Sequence, residues 1–239
     1  MNIQQVLVVL LALGLLANGG LVIADDRLES GEAATTTYDG LKRIKKSAAD
    51  EAYIKPDIDL TAYTSVVIDE PAVSYKRTPR KTSTTRATGS SANFALTDDQ
   101  MAEMKQMFHE EFIAALVEDD GWTVVDAVGP DVLEVHAELV NLVVKVPTKP
   151  TAGRSTYYVS EFGEVTLVGE LRDSQSGEIL ARAVDRQVIR PIGASQSQMR
   201  RTMGVSARSD VRRYFRQWAE LLRDRLDEVK AVGAPPTKD

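Results

Sequence analysis

Between Leu133 and Val146 the chain carries the feature that most limits its fold. Leu133, Val135, Ala137 and Leu139 alternate with Glu134, His136 and Glu138, the two-residue period of a strand with one covered and one solvated face. The apolar phase then moves by one residue, to Val140, Leu142, Val144 and Val146. Successive strand side chains point to opposite faces, so this slip would expose the apolar set unless one residue loops out. A β-bulge is expected there. A strand this long needs long partners. Glu164 to Asp173 supplies one, with Val165, Leu167 and Leu171 in phase, and Ser174-Gln175-Ser176-Gly177 reads as the hairpin turn into Ile179 to Ile189.

Two helical patterns flank these strands. Thr97 with Gln100 three residues on forms a capping-box signature, and Asp98 and Asp99 suit the positive end of the helix dipole. Met101, Met104, Phe108, Phe112 and Leu116 follow as one stripe, ended by Asp119-Asp120-Gly121. Near the C-terminus, Val211, Phe215, Trp218, Leu222, Leu226 and Val229 form a second stripe that Ser206 or Ser209 can cap. Ser65 to Tyr75 is a further strand, in which Pro71 permits only an edge, a bulge or a break. Trp122 to Val125 enters the strand region, and Gly129-Pro130-Asp131 marks a turn. The expected fold is α+β, a two-layer sandwich with a mostly antiparallel sheet of about five strands and two amphipathic helices packed on one face. Residues 38–232 read as a single domain.

Residues 1–24 read as a signal peptide. Val6 to Leu16 contains only Val, Leu, Ala and Gly, and Val22-Ile23-Ala24 precedes Asp25-Asp26 as a cleavage site would. An uncleaved anchor is the competing reading, since Val6 to Ile23 is just long enough to span a bilayer. Residues 25–37 read as a polar tether and 233–239 as a flexible tail. The expected location is the bacterial periplasm or exterior. Cysteine is absent, which excludes disulfides and a thiol-linked lipid.

The chain of 239 residues has a net charge of −6, which argues against general nucleic-acid binding. Charge is strongly segregated within that total. Lys76, Arg77, Arg80, Lys81 and Arg86 share a loop without an acid, and Arg190, Arg200, Arg201, Arg208, Arg212, Arg213 and Arg216 face only Asp210. The first helix is acidic. Such a chain can grip an anionic envelope surface or hold itself together by helix-to-loop attraction. Arg154, Tyr157 and Tyr158 lie on the long connection Pro147 to Gly163, where a planar cation beside rigid amphipathic rings suits a polymer or protein surface. The competing reading makes Thr156 to Val159 another strand. Arg154, Tyr157, Tyr158, Arg200 and Arg201 are therefore the candidate partner-binding residues.

The sequence lacks the nucleophile elbow, the phosphate loop, the dinucleotide fingerprint, the H-E-x-x-H zinc pattern and the calcium loop. His109 and His136 are the only histidines. His136, between Glu134 and Glu138, reads as part of a half-exposed strand face, and His109 as a helix-boundary residue. No catalytic residue, metal, cofactor or small-molecule substrate is expected.

Tyr38-Asp39-Gly40-Leu41, Gly129-Pro130-Asp131-Val132-Leu133, Ala152-Gly153-Arg154-Ser155, Gly163-Glu164-Val165-Thr166-Leu167-Val168 through Asp173-Ser174 and Gly177, and Ala181-Arg182 through Asp185-Arg186 together resemble a bacterial envelope family, domain of unknown function 3313. The resemblance covers about Tyr38 to Leu226. It implies an envelope location, and its members resemble lipoproteins, although this chain lacks the lipid-bearing Cys. The expected function is that of an exported non-enzymatic accessory or interaction module, with an envelope protein or anionic envelope surface as partner. A periplasmic hydrolase built on surface carboxylates is the alternative.

Overall fold

A computed structural model describes residues 36–56, 58–79, 93–145, 158–159, 161–190, 200–201 and 204–233. The signal segment, nearly all of the tether and most of the tail lie outside the described residues. Ten strands and two long helices follow in the order β1 (Lys42–Arg43), β2 (Glu51–Ile54), β3 (Ser65–Ile68), β4 (Ala72–Tyr75), α1 (Asp98–Val117), β5 (Thr123–Val124), β6 (Val132–Val144), β7 (Tyr158–Val159), β8 (Gly163–Asp173), β9 (Ile179–Ile189), β10 (Arg200–Arg201) and α2 (Gly204–Gly233).

The long strand is β6, and its phase slip is a bulge. Its register against β8 shifts between Val140 and Val143, and Asn141 takes the left-handed φ of 56° that an extra residue requires. Leu142 and Val143 are consequently both buried. The turn after β8 closes on Asp173, whose Oδ1 accepts from the backbone N–H of Ser176 at 2.7 Å. Gly177 there has φ +71° and so needs no Cβ.

The fold is α+β with a mostly antiparallel sheet, but the sheet is larger than the expected five or so strands and is mixed. Eight strands lie in the order β1-β2-β9-β8-β6-β3-β5, with β4 also on β6, and both β3 and β4 run parallel to β6. The cause is α1. A 20-residue helix is about 30 Å long, so it carries the chain back to the end where β3 began, and the next strand must run parallel. Pro71, fully buried, breaks Ser65 to Tyr75 into β3 and β4. Strands β1 and β2 extend the sheet beyond β9.

One face of the sheet, carrying Leu133, Val135, Ala137, Leu139, Val165 and Leu167, shares a single core with both helices. Thr97 caps α1 with the full capping box. Phe108 and Phe112 stack at 4.1 Å, and Phe215 of α2 meets the Phe108 edge at 5.5 Å. Trp218 lies 6.0 Å from Phe215 and donates its indole N–H to Asp185 Oδ2 at 2.7 Å. The expected caps Ser206 and Ser209 fall inside α2, which begins earlier, at Gly204.

Candidate functional site

Among the described residues, polar side chains gather at an end of the sheet and on its helix-free face. At the end, β4 and β6 stop together and β8 begins. Lys76 donates its backbone N–H to Leu142 O, and Lys145 donates to Phe162 O. Gly163 is required here because a Cβ would lie 2.1 Å from Val143 O, the carbonyl presented by the bulge. Asn93, 3% exposed, fastens the returning chain by accepting from Val144 N–H at 3.1 Å and donating to Arg77 O at 2.9 Å.

These backbones frame a cleft of about 450 Å³ lined by Lys76, Arg77, Val143, Lys145 and Glu164. Glu164 receives Lys76 Nζ at 2.9 Å and pairs with Arg186. Burial raises its pKa, but hydrogen bonds from Lys76 and Arg186 outweigh burial and hold the carboxyl below its ordinary range. Glu161 pairs with Lys145 and approaches Arg190 Nη2 at 3.7 Å. Two glutamates thus each pin two cations. Arg77 is exposed and has no ion-pair partner among the described residues.

Of the sequence-predicted residues, Tyr158, Arg200 and Arg201 are described, and they lie on a separate two-stranded ribbon. β7 pairs antiparallel with β10, placing Arg201 opposite Tyr158 and Arg200 opposite Val159. Candidates 42 residues apart thereby share one two-stranded ribbon; of the competing strand reading, Thr156 to Val159, Tyr158 and Val159 are in a strand and the other two residues lie outside the described ones. Arg154 and Tyr157 lie outside the described residues. The α2 arginines behave differently. Arg208 meets Glu103 at 3.0 Å, Arg212 meets Glu110 and Glu111 at 3.0 and 3.1 Å, and Arg216 meets buried Glu111 at 2.7 Å. Part of the segregated charge therefore joins α2 to α1.

The helix-free face holds the second cluster. Cross-strand register aligns His136 with Glu170 and Glu170 with Arg182, and Glu134 with Arg172. Glu170 accepts from Arg182 Nε at 2.7 Å and from Arg172 Nε at 2.9 Å, while Arg182 also reaches Asp39 at 2.5 Å. Burial pushes the Glu170 carboxyl up, and the two arginines overcome it, so its pKa is lowered. Asp69, just past β3, brings Oδ2 within 3.0 Å of His136 Nδ1. Glu134 stands beside it. Burial first, then the Asp69 charge and a hydrogen bond with Asp69, raise the Glu134 pKa. One ligand atom from each of Asp69, Glu134 and His136 lies within 4.8 Å of the others, a donor set that a divalent cation could use. Sequence reasoning missed Asp69 because it lies 67 residues from His136 and follows a different strand. His109 is exposed on α1.

No curated protein matches the chain. Among solved structures, a DUF330-family protein from Xanthomonas campestris is 14% identical, with 70% of this chain and 88% of that one covered at a TM-score of 0.38. The dodecameric PelC of Paraburkholderia phytofirmans is 10% identical, covers 68% and 89%, and scores 0.33. A neuraminyllactose-binding hemagglutinin homolog from Helicobacter pylori is 11% identical, covers 72% and 91%, and scores 0.35. The family model described as a protein of unknown function, DUF3313, matches residues 28–222, and the chain belongs to that family.

Proposed function

We propose that this protein is an exported, non-enzymatic interaction module of a bacterial envelope, and that it docks on an envelope partner through the end of the sheet that carries the cleft and the β7–β10 ribbon. One observation carries the reading. The chain leaves the sheet at this end after β4, β6 and β9, and the described residues of the connections that follow hold six Lys or Arg (Lys76, Arg77, Lys145, Arg190, Arg200 and Arg201) against the single acid Glu161. Such a concentration in a chain of net charge −6 creates a field that attracts an anionic partner over the screening distance of the medium. Arg154, Tyr157, Tyr158, Arg200 and Arg201 are the contact residues this reading assigns, and it needs neither cofactor nor nucleic acid.

The reading is tested in two steps. Protein recovered from its native host should begin at Asp25 and reside in the periplasm or exterior, or at a membrane if residues 1–24 remain attached. Cytosolic protein that retains Met1 removes the export claim. The mature chain should co-sediment with envelope fractions in a salt-sensitive manner, and Arg154→Glu should weaken that association without moving the melting temperature. Equal sedimentation of both proteins excludes Arg154 from the contact.

A further inference from the structure

We infer that the cleft between β4, β6 and β8 binds the charged groups of an extended anionic polymer, carrying carboxylates or phosphates, and that it is not a membrane-docking surface. This inference rests on the docking end assigned above and names the partner it takes. The site consists of Lys76, Arg77, Lys145, Arg186 and Arg190, with Glu161 and Glu164 between them. Each glutamate neutralises one of its two cations and holds both in place, so the row keeps a net positive charge with much of its ordering cost already met. Arg77 adds a guanidinium free of ion pairs among the described residues, with five donors suited to a planar carboxylate or a phosphate. The concavity has a volume of about 450 Å³ and is broadly open to solvent, so an extended chain can lie across it.

Two observations select a polymer over a lipid surface. First, the carboxylates sit among the cations. A chain with spaced charges can set its anions beside Lys76, Arg77 and Lys145 and leave Glu161 and Glu164 between them, whereas a continuous anionic sheet must meet both glutamates. Second, the chain N-terminal to the domain enters at the other end. Thr36 bridges Lys42, Lys42 pairs with Ile54, and Ile54 pairs with Ala181 beside the β8–β9 turn. Glu164 pairs with Val188, seven residues further along β9 and about 24 Å away. The point at which the N-terminal segment joins the described domain therefore lies at the pole opposite the cleft.

The test measures binding of the full mature chain to sodium polygalacturonate and to long-chain polyphosphate by isothermal titration calorimetry, alongside sedimentation with vesicles of 70% phosphatidylcholine and 30% phosphatidylglycerol. Lys76→Gln with Arg77→Gln should weaken binding to at least one polymer about tenfold. Lys55→Gln with Arg225→Gln, which removes equal charge near the opposite end, should change it less than twofold. Glu164→Gln, which deletes an acid from the cleft, should tighten binding severalfold, a gain that misfolding cannot produce. Vesicle binding without polymer binding overturns the inference. Equal losses in the two double variants overturn it as well, since the net charge would then act without a site. If envelope association persists while neither polymer binds, the inference fails and the docking reading survives. If envelope association and polymer binding are both absent, both fail.

Discussion

Trp218 joins the helix layer to the sheet by two different forces, and they can be separated by mutation. Its ring is 5% exposed and packs near Phe215, while its N–H meets the carboxylate of Asp185, itself 9% exposed. Asp185 keeps two other donors, Gln187 Nε2 at 2.6 Å and the Asp50 N–H at 3.3 Å. Trp218→Ala removes the whole ring, a buried large-to-small change that costs about 3 to 5 kcal/mol. Trp218→Phe keeps most of the apolar contact but deletes a hydrogen bond to a charged group, worth about 1.5 to 3 kcal/mol, and leaves a small void. Its total cost should be about 2 to 4 kcal/mol, a urea-midpoint displacement on the order of 1 M. The decisive assay is a double-mutant cycle of Trp218→Phe with Asp185→Ala, which removes the acceptor, read by far-ultraviolet circular dichroism in urea. A coupling energy of about 1 to 3 kcal/mol is expected. Additivity to within about 0.5 kcal/mol would refute the account, because it would mean that the indole N–H and the carboxylate stabilise the protein independently.

Three further outcomes follow from the geometry. Gly163→Ala drives a methyl into Val143 O and should cost about 1 to 3 kcal/mol in chemical denaturation, whereas the same change at Gly169, where an added Cβ meets nothing nearer than the Leu167 side chain at 4.0 Å, should cost less. Thr97→Ala deletes the α1 cap and should lower stability by about 0.5 to 2 kcal/mol, visible as a lower melting temperature. Glu134 has a raised folded-state pKa, so its carboxyl favours folding below its unfolded pKa and loses that contribution as pH rises through the folded value. Glu134→Gln should therefore be more stable than the parent at pH 7, with the advantage vanishing in acid, and a pH-independent difference would contradict the assignment.

Local chemistry made much of this fold legible. The capping box at Thr97 and Gln100, the Phe108–Phe112 stripe, the bulge at Asn141 and the turn at Gly177 each follow from residues within a few positions of one another. Strand direction was less accessible, because alternation in Val66–Ile68 reports burial and says nothing of orientation. The available cue was the intervening helix, whose length dictates a parallel return. β1 and β2 were missed because strands of two and four residues at a sheet margin hold too few positions to show a period. At the functional end, the run Lys76-Arg77 and the pair Arg200-Arg201 were visible as charge. The pairing of β4 and β8 with β6 brings Lys145 into one cleft with Lys76 and Arg77, and register alone sets Arg201 opposite Tyr158. Asp69 could be linked to His136 only through the parallel pairing of β3 with β6.

The bounds of the eight-stranded sheet bear on how this chain avoids other copies of itself. A sheet margin offers unpaired N–H and C=O groups on which a second copy could grow, and the hazard scales with the length of the exposed strand. Here the strand order ends on β1 and β5, two residues each, and the other free flank is β4, four residues long and followed by Lys76 and Arg77. The long strands β6 and β8 are interior, and β9 is covered on its outer side by β2 from Ala181 to Val184, past which the Asp50 carboxylate takes the Arg186 N–H and the Tyr214 hydroxyl donates to the Val188 carbonyl. Long strands supply the core while short, cation-flanked ones form the rim, so a protein without disulfides retains a broad sheet and still presents no template long enough to seed edge-to-edge aggregation among its described strands.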